Sequence, residues 1–256
     1  MINQGYGMNT IFNRYERKYL INSKQQAELV AFLKAHLTFD SYSSEGQPYT
    51  IYNLYYDTND FSVIRSSINK PIYKEKLRLR CYQKPTQDED IVYLEIKKKH
   101  AGRINKRRLA LSYKEARHYI NEGSSPVLST YNASQVFKEI DYFVNIHKAR
   151  PSVLIKYNRL ALHSPNEALR VTFDNMIDFI GDIRSLDDED SRQFHAVLAD
   201  TDLSIMEIKS GQNFPLWLVR RLSELDLFSQ PFSKYGKAYQ HYLSGGAADD
   251  HMLYDA

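Results

Sequence analysis

Cysteine occurs once in 256 residues, at Cys81, which excludes both a disulfide framework and a cysteine-built metal centre. No segment reaches the run of about 18 apolar residues that a membrane span requires, and the N-terminus carries no signal-peptide hydrophobic stretch. The 8 histidines are scattered, with neither an HExxH motif nor an i, i+4 pair. Walker A, GxGxxG and GxSxG motifs are all missing, so a P-loop nucleotidase, a Rossmann enzyme and a serine hydrolase lack support. A large charge of one sign is missing too. At +3 net, the chain does not read as a general nucleic-acid coat, and any basic site must come from placement. These absences together predict a cytoplasmic protein from a reducing compartment, with no nucleic-acid partner.

What is present is ordinary in amount: 43% hydrophobic and 25% charged residues, enough for a real core. No internal repeat is found. Tyrosine is abundant, at 20 residues, and most read as packing residues with a wet hydroxyl end rather than as base-stacking surface.

The placement of charge is unusual. Lys76-Leu77-Arg78-Leu79-Arg80, Glu95-Ile96-Lys97-Lys98-Lys99 and Glu207-Ile208-Lys209 all read as strands. Alternation puts Lys76, Arg78 and Arg80 on one face and Leu77, Leu79 and Cys81 on the other. Lys18, Lys106, Arg108 and Arg170 fall in phase with the same cationic face, as does Lys97. Arg159 and Lys156 share a strand but differ in phase, so one of them leaves this face unless a bulge intervenes. For one strand such a face is most simply solvated surface; repeated over several strands it reads as a basic lining for a polyanion.

Strands are expected at Arg14–Ile21, 49–56, 72–83, 91–99, 103–111, 152–162, 169–174, 192–199 and 203–210. Helices are expected from a Ser23 cap to about Leu37, and at 113–121, 133–147, 214–225 and 234–243. Ser41–Pro48, His100-Ala101-Gly102, Ser164-Pro165-Asn166 and the acidic 181–190 segment read as loops or turns. Trp217 and Leu218 read as core. The predicted fold is α+β: an eight-stranded antiparallel β-barrel tunnel, cationic inside, with flanking helices over its apolar outside. One domain is expected over 1–243, with residues 1–12 as a loose leader and 244–256 as a flexible tail.

Glu16, Glu95 and Glu207 sit in the charged strands. Each alone reads as a salt-bridge partner; as a set beside bound phosphates they would suit Mg²⁺ or Mn²⁺. Asp174 is in phase with Arg170 and Thr172 and could be partner or ligand. The Asp187-Asp188-Glu189-Asp190 run lacks EF-hand spacing and reads as solvated loop.

In order along the chain, RYERKYLI, KLRLRCY, YLEIKKK, NKRRLAL, KYNRLAL, LRVTFD, IMEIKS and FSKYGKAY resemble the motifs of the VTC (vacuolar transporter chaperone) polyphosphate polymerase domain. That family lies within the triphosphate tunnel metalloenzyme, or CYTH-like, superfamily. The resemblance runs from about Arg14 to Tyr242. It implies that Lys18, Arg78, Arg80, Lys97, Lys106, Arg108, Arg159, Arg170 and Lys234 grip phosphates, and that Glu207 holds a divalent metal. It also implies transfer of the ATP γ-phosphate to a growing polyphosphate end, and the chance of a membrane-protein partner. The superfamily's ExExK signature falls on Arg14-Tyr15-Glu16-Arg17-Lys18, with Arg14 replacing the first glutamate. That loss tilts the expectation toward a polymerase and away from a metal-dependent triphosphatase. A non-catalytic polyphosphate or nucleotide sensor is the third reading.

Overall fold

The computed structural model describes residues 15–101, 103–164, 169–211 and 213–243. The expected leader, Arg14, Gly102, most of the Ser164-Pro165-Asn166 turn and the expected tail lie outside them. The elements run β1 (Tyr15–Asn22), α1 (Ser23–Leu33), β2 (Thr38–Phe39), β3 (Tyr49–Asp57), α2 (Ser62–Ile68), β4 (Tyr73–Cys81), β5 (Ile91–His100), β6 (Arg103–Ser112), α3 (Tyr113–Glu122), α4 (Tyr131–His147), β7 (Arg150–His163), β8 (Arg170–Gly181), β9 (His195–Ala196), β10 (Leu203–Ser210), α5 (Leu216–Glu224) and α6 (Lys234–Leu243).

All pairings are antiparallel, in the order β1-β10-β8-β7-β3-β4-β5-β6, with β2 added to β7 and β9 to β8. This is the predicted α+β tunnel-like sheet, corrected in one respect. Among the described residues no ladder joins β6 back to β1, so the barrel is not closed by backbone hydrogen bonds. The free edge of β1 meets the segment before α6 instead: the Gln230 amide donates to the Lys18 carbonyl at 2.9 Å, and Lys18 Nζ donates to the Phe232 carbonyl at 3.0 Å. Covering an edge with an irregular segment satisfies part of its backbone without extending the sheet.

Local chemistry explains several boundaries. Asn22, not Ser23, caps α1 in a reciprocal box with Gln25, and Ser112 does the same for α3 with Glu115. α1 stops at Leu33, short of Leu37, whereas β8 runs well past Asp174. The strand expected at 192–199 shrinks to His195–Ala196, because only that pair meets β8. Lys156 and Asn158 pair with Asp178 and Asn175, so the extra residue of this bulge lies on β8, where Met176 takes φ +48°.

The outer face packs on two helical layers. Leu77, Leu79, Leu94, Ile96, Leu109 and Leu111 pack with Tyr119, Phe137, Ile140 and Phe143 of α3 and α4. Tyr19, Ile21, Val171, Phe173, Met206 and Ile208 pack with Leu29, Leu33, Leu218 and Leu222 of α1 and α5. Leu218 is core as expected; Trp217 is half-buried and stacks on His36, with ring centres 4.0 Å apart. A third cluster unites Ile51, Val153, Ile155, Tyr157, Ile177, Phe179 and Ile205 with Tyr235, Ala238 and Tyr239 of α6. α6 therefore seats on the concave side.

Asp57 ties this arrangement together. Its buried carboxylate accepts the Val63 and Ile64 amides of α2 at 2.9 and 3.0 Å and the Tyr235 hydroxyl of α6 at 2.7 Å. Among the described residues no helix is long and apolar enough to cross a membrane. Removing this acceptor strands buried donors, so Asp57→Ala is expected to destabilise the fold by about 3 kcal/mol, measured by urea unfolding. A loss below about 1 kcal/mol would show that α2 and α6 are held by apolar packing alone.

Candidate functional site

Strand alternation sends Lys76, Arg78 and Arg80 of β4 to the concave face, together with Glu95 and Lys97 of β5 and Lys106 and Arg108 of β6. Register then sets the contacts: Arg78 lies across from Glu95 and Glu95 across from Arg108, while Lys76, Lys97 and Lys106 form the next row. Glu95 is 2% exposed. It accepts from Arg78 Nε at 2.9 Å and Arg108 Nε at 2.8 Å, and meets Lys106 Nζ at 3.0 Å. Burial opposes its ionisation, but Arg78, Lys106, Arg80 and Arg108 outweigh burial and hold its carboxyl far below the usual range.

A second carboxylate works in the same way from the other side. Asp174 on β8 is 1% exposed and is gripped at both oxygens by its cross-strand neighbour Arg159, at 2.6 and 2.7 Å. Lys234 reaches it from α6 at 2.6 Å. Burial would raise its pKa; Arg159 and Lys234 prevail and lower it to about 2. The Tyr157 ring lies beneath both cations, 5.3 Å from Arg159 and 4.6 Å from Lys234.

The third node joins β1 to β10. Lys18 is in register with Glu207, and Glu16 with Lys209. Glu207 bonds Lys209 and lies 3.7 Å from Lys18, which in turn lies 3.5 Å from Glu16. Burial works against the Glu207 carboxylate, yet Lys209, Lys18 and Arg159 keep its pKa well below the ordinary value. Lys97 of β5 lies within electrostatic reach of Glu16, Lys18, Lys209 and Glu207, so the two ends of the sheet face each other across the concavity.

Cations still exceed the carboxylates. Neither Lys76 nor Lys97 makes an ion pair with a described residue. Lys76 has Ser233 Oγ at 3.4 Å and the Tyr235 ring at 5.8 Å. Burial, followed by Lys74, Lys97 and Lys18, lowers its ammonium to about 7. Three buried polar atoms of the lining have no hydrogen-bond partner among the described residues: Arg80 Nε, Asn53 Oδ1 and Thr172 Oγ1. Unmatched cationic charge, with the Arg80 Nε donor and the Thr172 hydroxyl on the same concave surface, suits an anion.

The VTC domain profile matches residues 13–243. The chain belongs to the VTC domain family. No curated protein sequence matches it significantly. Among solved structures, a putative adenylate cyclase from Bacillus halodurans is similar in fold, with a TM-score of 0.50 at 15% identity, covering 85% of this chain and 92% of that one. A putative adenylate cyclase from Vibrio parahaemolyticus gives a TM-score of 0.41 at 14% identity, over 91% of this chain and 98% of that one.

Within this VTC domain the structure places Lys18, Lys76, Arg78, Arg80, Lys97, Lys106, Arg108, Arg159 and Lys234 on one connected concave surface. Arg159 needs no bulge in its own strand. It alternates with Tyr157 toward the interior, and Lys156 leaves the lining to lie 3.4 Å from the Phe194 ring centre. Arg170 stands apart at the rim, 45% exposed and paired with Asp40 at 2.7 Å. Glu16 and Glu207 come together through Lys18 and Lys209, whereas Glu95 is enclosed separately by its own cations. Among the described residues no three of His, Cys, Asp or Glu converge on one point. Sequence reasoning left Lys209, Tyr157 and Asn53 out of the site. Lys209 and Tyr157 each sit two residues from a chosen residue, Glu207 and Arg159, and the same alternation rule reaches them.

The Asp174 carboxyl, lowered from 3.8 to about 2, contributes stability that is complete above pH 4 and lost as pH falls through 2. At full burial the shift corresponds to roughly 2 kcal/mol. Acid titration of unfolding stability is expected to fall less steeply between pH 4 and 2 in Asp174→Asn than in the wild type. Parallel curves would mean that Arg159 and Lys234 do not stabilise this carboxylate.

Proposed function

We propose that this domain binds ATP and polyphosphate in its cationic concavity and transfers the γ-phosphoryl group to the chain end. The observation that supports this reading best is the continuation of cationic charge past the carboxylate-locked arginines to Lys76 and Lys97, neither of which makes a direct ion pair among the described residues. A triphosphate would occupy the arginine ring; the additional lysines suit a longer polyanion.

The reaction needs no side-chain nucleophile. A terminal phosphate oxygen of the polyphosphate attacks the γ-phosphorus, the bond from that phosphorus to the β–γ bridging oxygen breaks, and ADP leaves with the bond's electron pair. Phosphoryl transfer of this kind depends on positioning and charge stabilisation. Arg78, Arg80 and Arg159 would hold the phosphates with planar forks, that of Arg78 directed in advance by Glu95 and that of Arg159 by Asp174. Lys234, held on α6, would add charge from the opposite wall. Arg170 at the rim, with Lys18, Lys106 and Arg108, would extend the grip.

A divalent ion would be held beside Glu207. Mg²⁺ and Mn²⁺ commonly take one or two carboxylates and complete their shells with substrate phosphates and water. Glu207 and Glu16 form such a pair, and Thr172, whose Oγ1 lacks a partner, is in register with Glu207. When bound there, the ion would neutralise charge on the transferring phosphoryl group. Glu95, saturated by arginines and lysine, would serve as an organiser rather than a ligand.

Incubation with ATP and Mn²⁺, with and without a short polyphosphate primer, tests the proposal when products are resolved on a gel. Long chains are expected from the wild type and none from Glu207→Gln, which should still bind polyphosphate. Orthophosphate without chains would replace the polymerase by a triphosphatase. Tight polyphosphate binding with no turnover under any divalent metal would replace it by a sensor.

Binding should also depend on pH. A polyanion raises the Lys76 pKa from about 7, so binding takes up a proton and weakens as pH rises from 7 to 9. Calorimetry of long polyphosphate at pH 8, in buffers of different ionisation enthalpy, should report this uptake, and Lys76→Met should reduce it. Equal heats in all buffers would remove Lys76 from the binding lane.

A further inference from the structure

The two ends of the concavity differ. At one end of β3, Asp57 accepts the hydroxyl of Tyr235, and α6 sits over the inner-face apolar cluster. At the other end, Tyr49 belongs to an aromatic group with Tyr42, Tyr82 and Tyr93. The strand between them has 9 residues, a span of roughly 26 Å at 3.3 Å per step.

Tyr42 is 53% exposed, and its ring stacks on Tyr82 with centres 4.9 Å apart and planes 20° apart. Tyr49 lies 5.3 Å from Tyr42, and Tyr93 lies 5.8 Å from Tyr82. The loop that carries Tyr42 is anchored on both sides. Asp40 accepts the Tyr42 and Ser43 amides at 3.2 and 2.9 Å, and the buried Ser43 hydroxyl accepts the Ala161 amide of β7 at 3.0 Å. The result is a ring held in place by its neighbours while remaining half open to solvent.

These rings adjoin the phosphate lane directly. The Arg80 guanidinium lies 5.0 Å from the Tyr82 ring centre, and that of Arg108 lies 4.4 Å from the Tyr93 ring centre. Along β4 the inner face then reads Arg80, Arg78, Lys76 toward α6. A molecule with an aromatic head and a polyanionic tail matches this sequence of surfaces in one orientation only.

We propose that Tyr42, backed by Tyr82, is a stacking surface for the base of a nucleoside triphosphate. The donor then enters with its base at the tyrosine mouth and its γ-phosphate toward Lys76 and Lys97. This assignment rests on the phosphate-binding reading of the lane and adds to it a means of preferring a nucleotide over inorganic tripolyphosphate. Stacking on an aromatic ring is tolerant of base identity, so adenine and guanine nucleotides should both benefit.

Equilibrium binding of ATP and of tripolyphosphate to the wild type, Tyr42→Ala and Tyr42→Phe tests it without requiring turnover. Tyr42→Ala is expected to weaken ATP about tenfold, the effect of losing one base–aromatic stack, and to leave tripolyphosphate unchanged; Tyr42→Phe should behave as wild type. Equal effects of Tyr42→Ala on both ligands, or no effect on either, would overturn the platform while leaving the phosphate lane intact. Failure of the wild type to bind either ligand would overturn the lane and the platform together.

Discussion

Neutralisation of concave cations by buried carboxylates is the constraint on which this molecule depends. A sheet needs one face for its core, and here the outer face supplies it. The inner face is left to arginines and lysines that would repel one another in a confined space. Glu95, Asp174 and Glu207 make that arrangement tolerable, each from a different part of the sheet and each shared by more than one cation. Buried ion pairs often contribute little net stability because desolvation offsets their attraction. Their value here is directional: each carboxylate fixes the orientation of the guanidinium or ammonium groups around it before any ligand arrives.

α6 gives this trough two unlike ends. Its Tyr235 hydroxyl anchors to Asp57, its Lys234 reaches Asp174, and Tyr55 stacks on the Tyr235 ring with centres 4.5 Å apart. The chain segment that covers the free edge of β1 therefore also delivers a cation to the interior. Edge protection and site assembly are performed by one stretch of sequence.

Much of this was legible beforehand because a period of two is unambiguous where charge and leucine alternate. Arg78 and Arg80 were assigned to the interior from neighbours in sequence alone, and Leu77 and Leu79 to the core by the same step. Glu95 was read as a salt-bridge partner when taken alone and as a metal ligand when taken with Glu16 and Glu207; Arg78, Lys106 and Arg108 enclose its carboxylate. Lys234 followed from the family resemblance, since nothing in a helical lysine announces that it crosses to β8. The strand expected at 192–199 failed because alternation says nothing about whether a partner edge is within reach. Tyr42 was hidden in a polar loop, and its significance depends on Tyr82, which a turn of the fold brings against it. The open seam between β6 and β1 also has no local signature, because closure is decided by sheet curvature rather than by any residue.

Under the proposed polymerase reading, that seam bears on how a lengthening chain would be accommodated. A ladder of backbone hydrogen bonds running fully around a barrel fixes its girth, and every strand must move for any one to move. Here the circuit is completed by charged side chains facing each other across the concavity and, among the described residues, by the Gln230 amide on the β1 edge. Such a wall can widen or tighten by fractions of an ångström without breaking sheet structure. A polymer drawn through it one unit at a time would meet a grip that yields and re-forms, as a ratchet's pawl does, rather than a rigid ring that must be escaped.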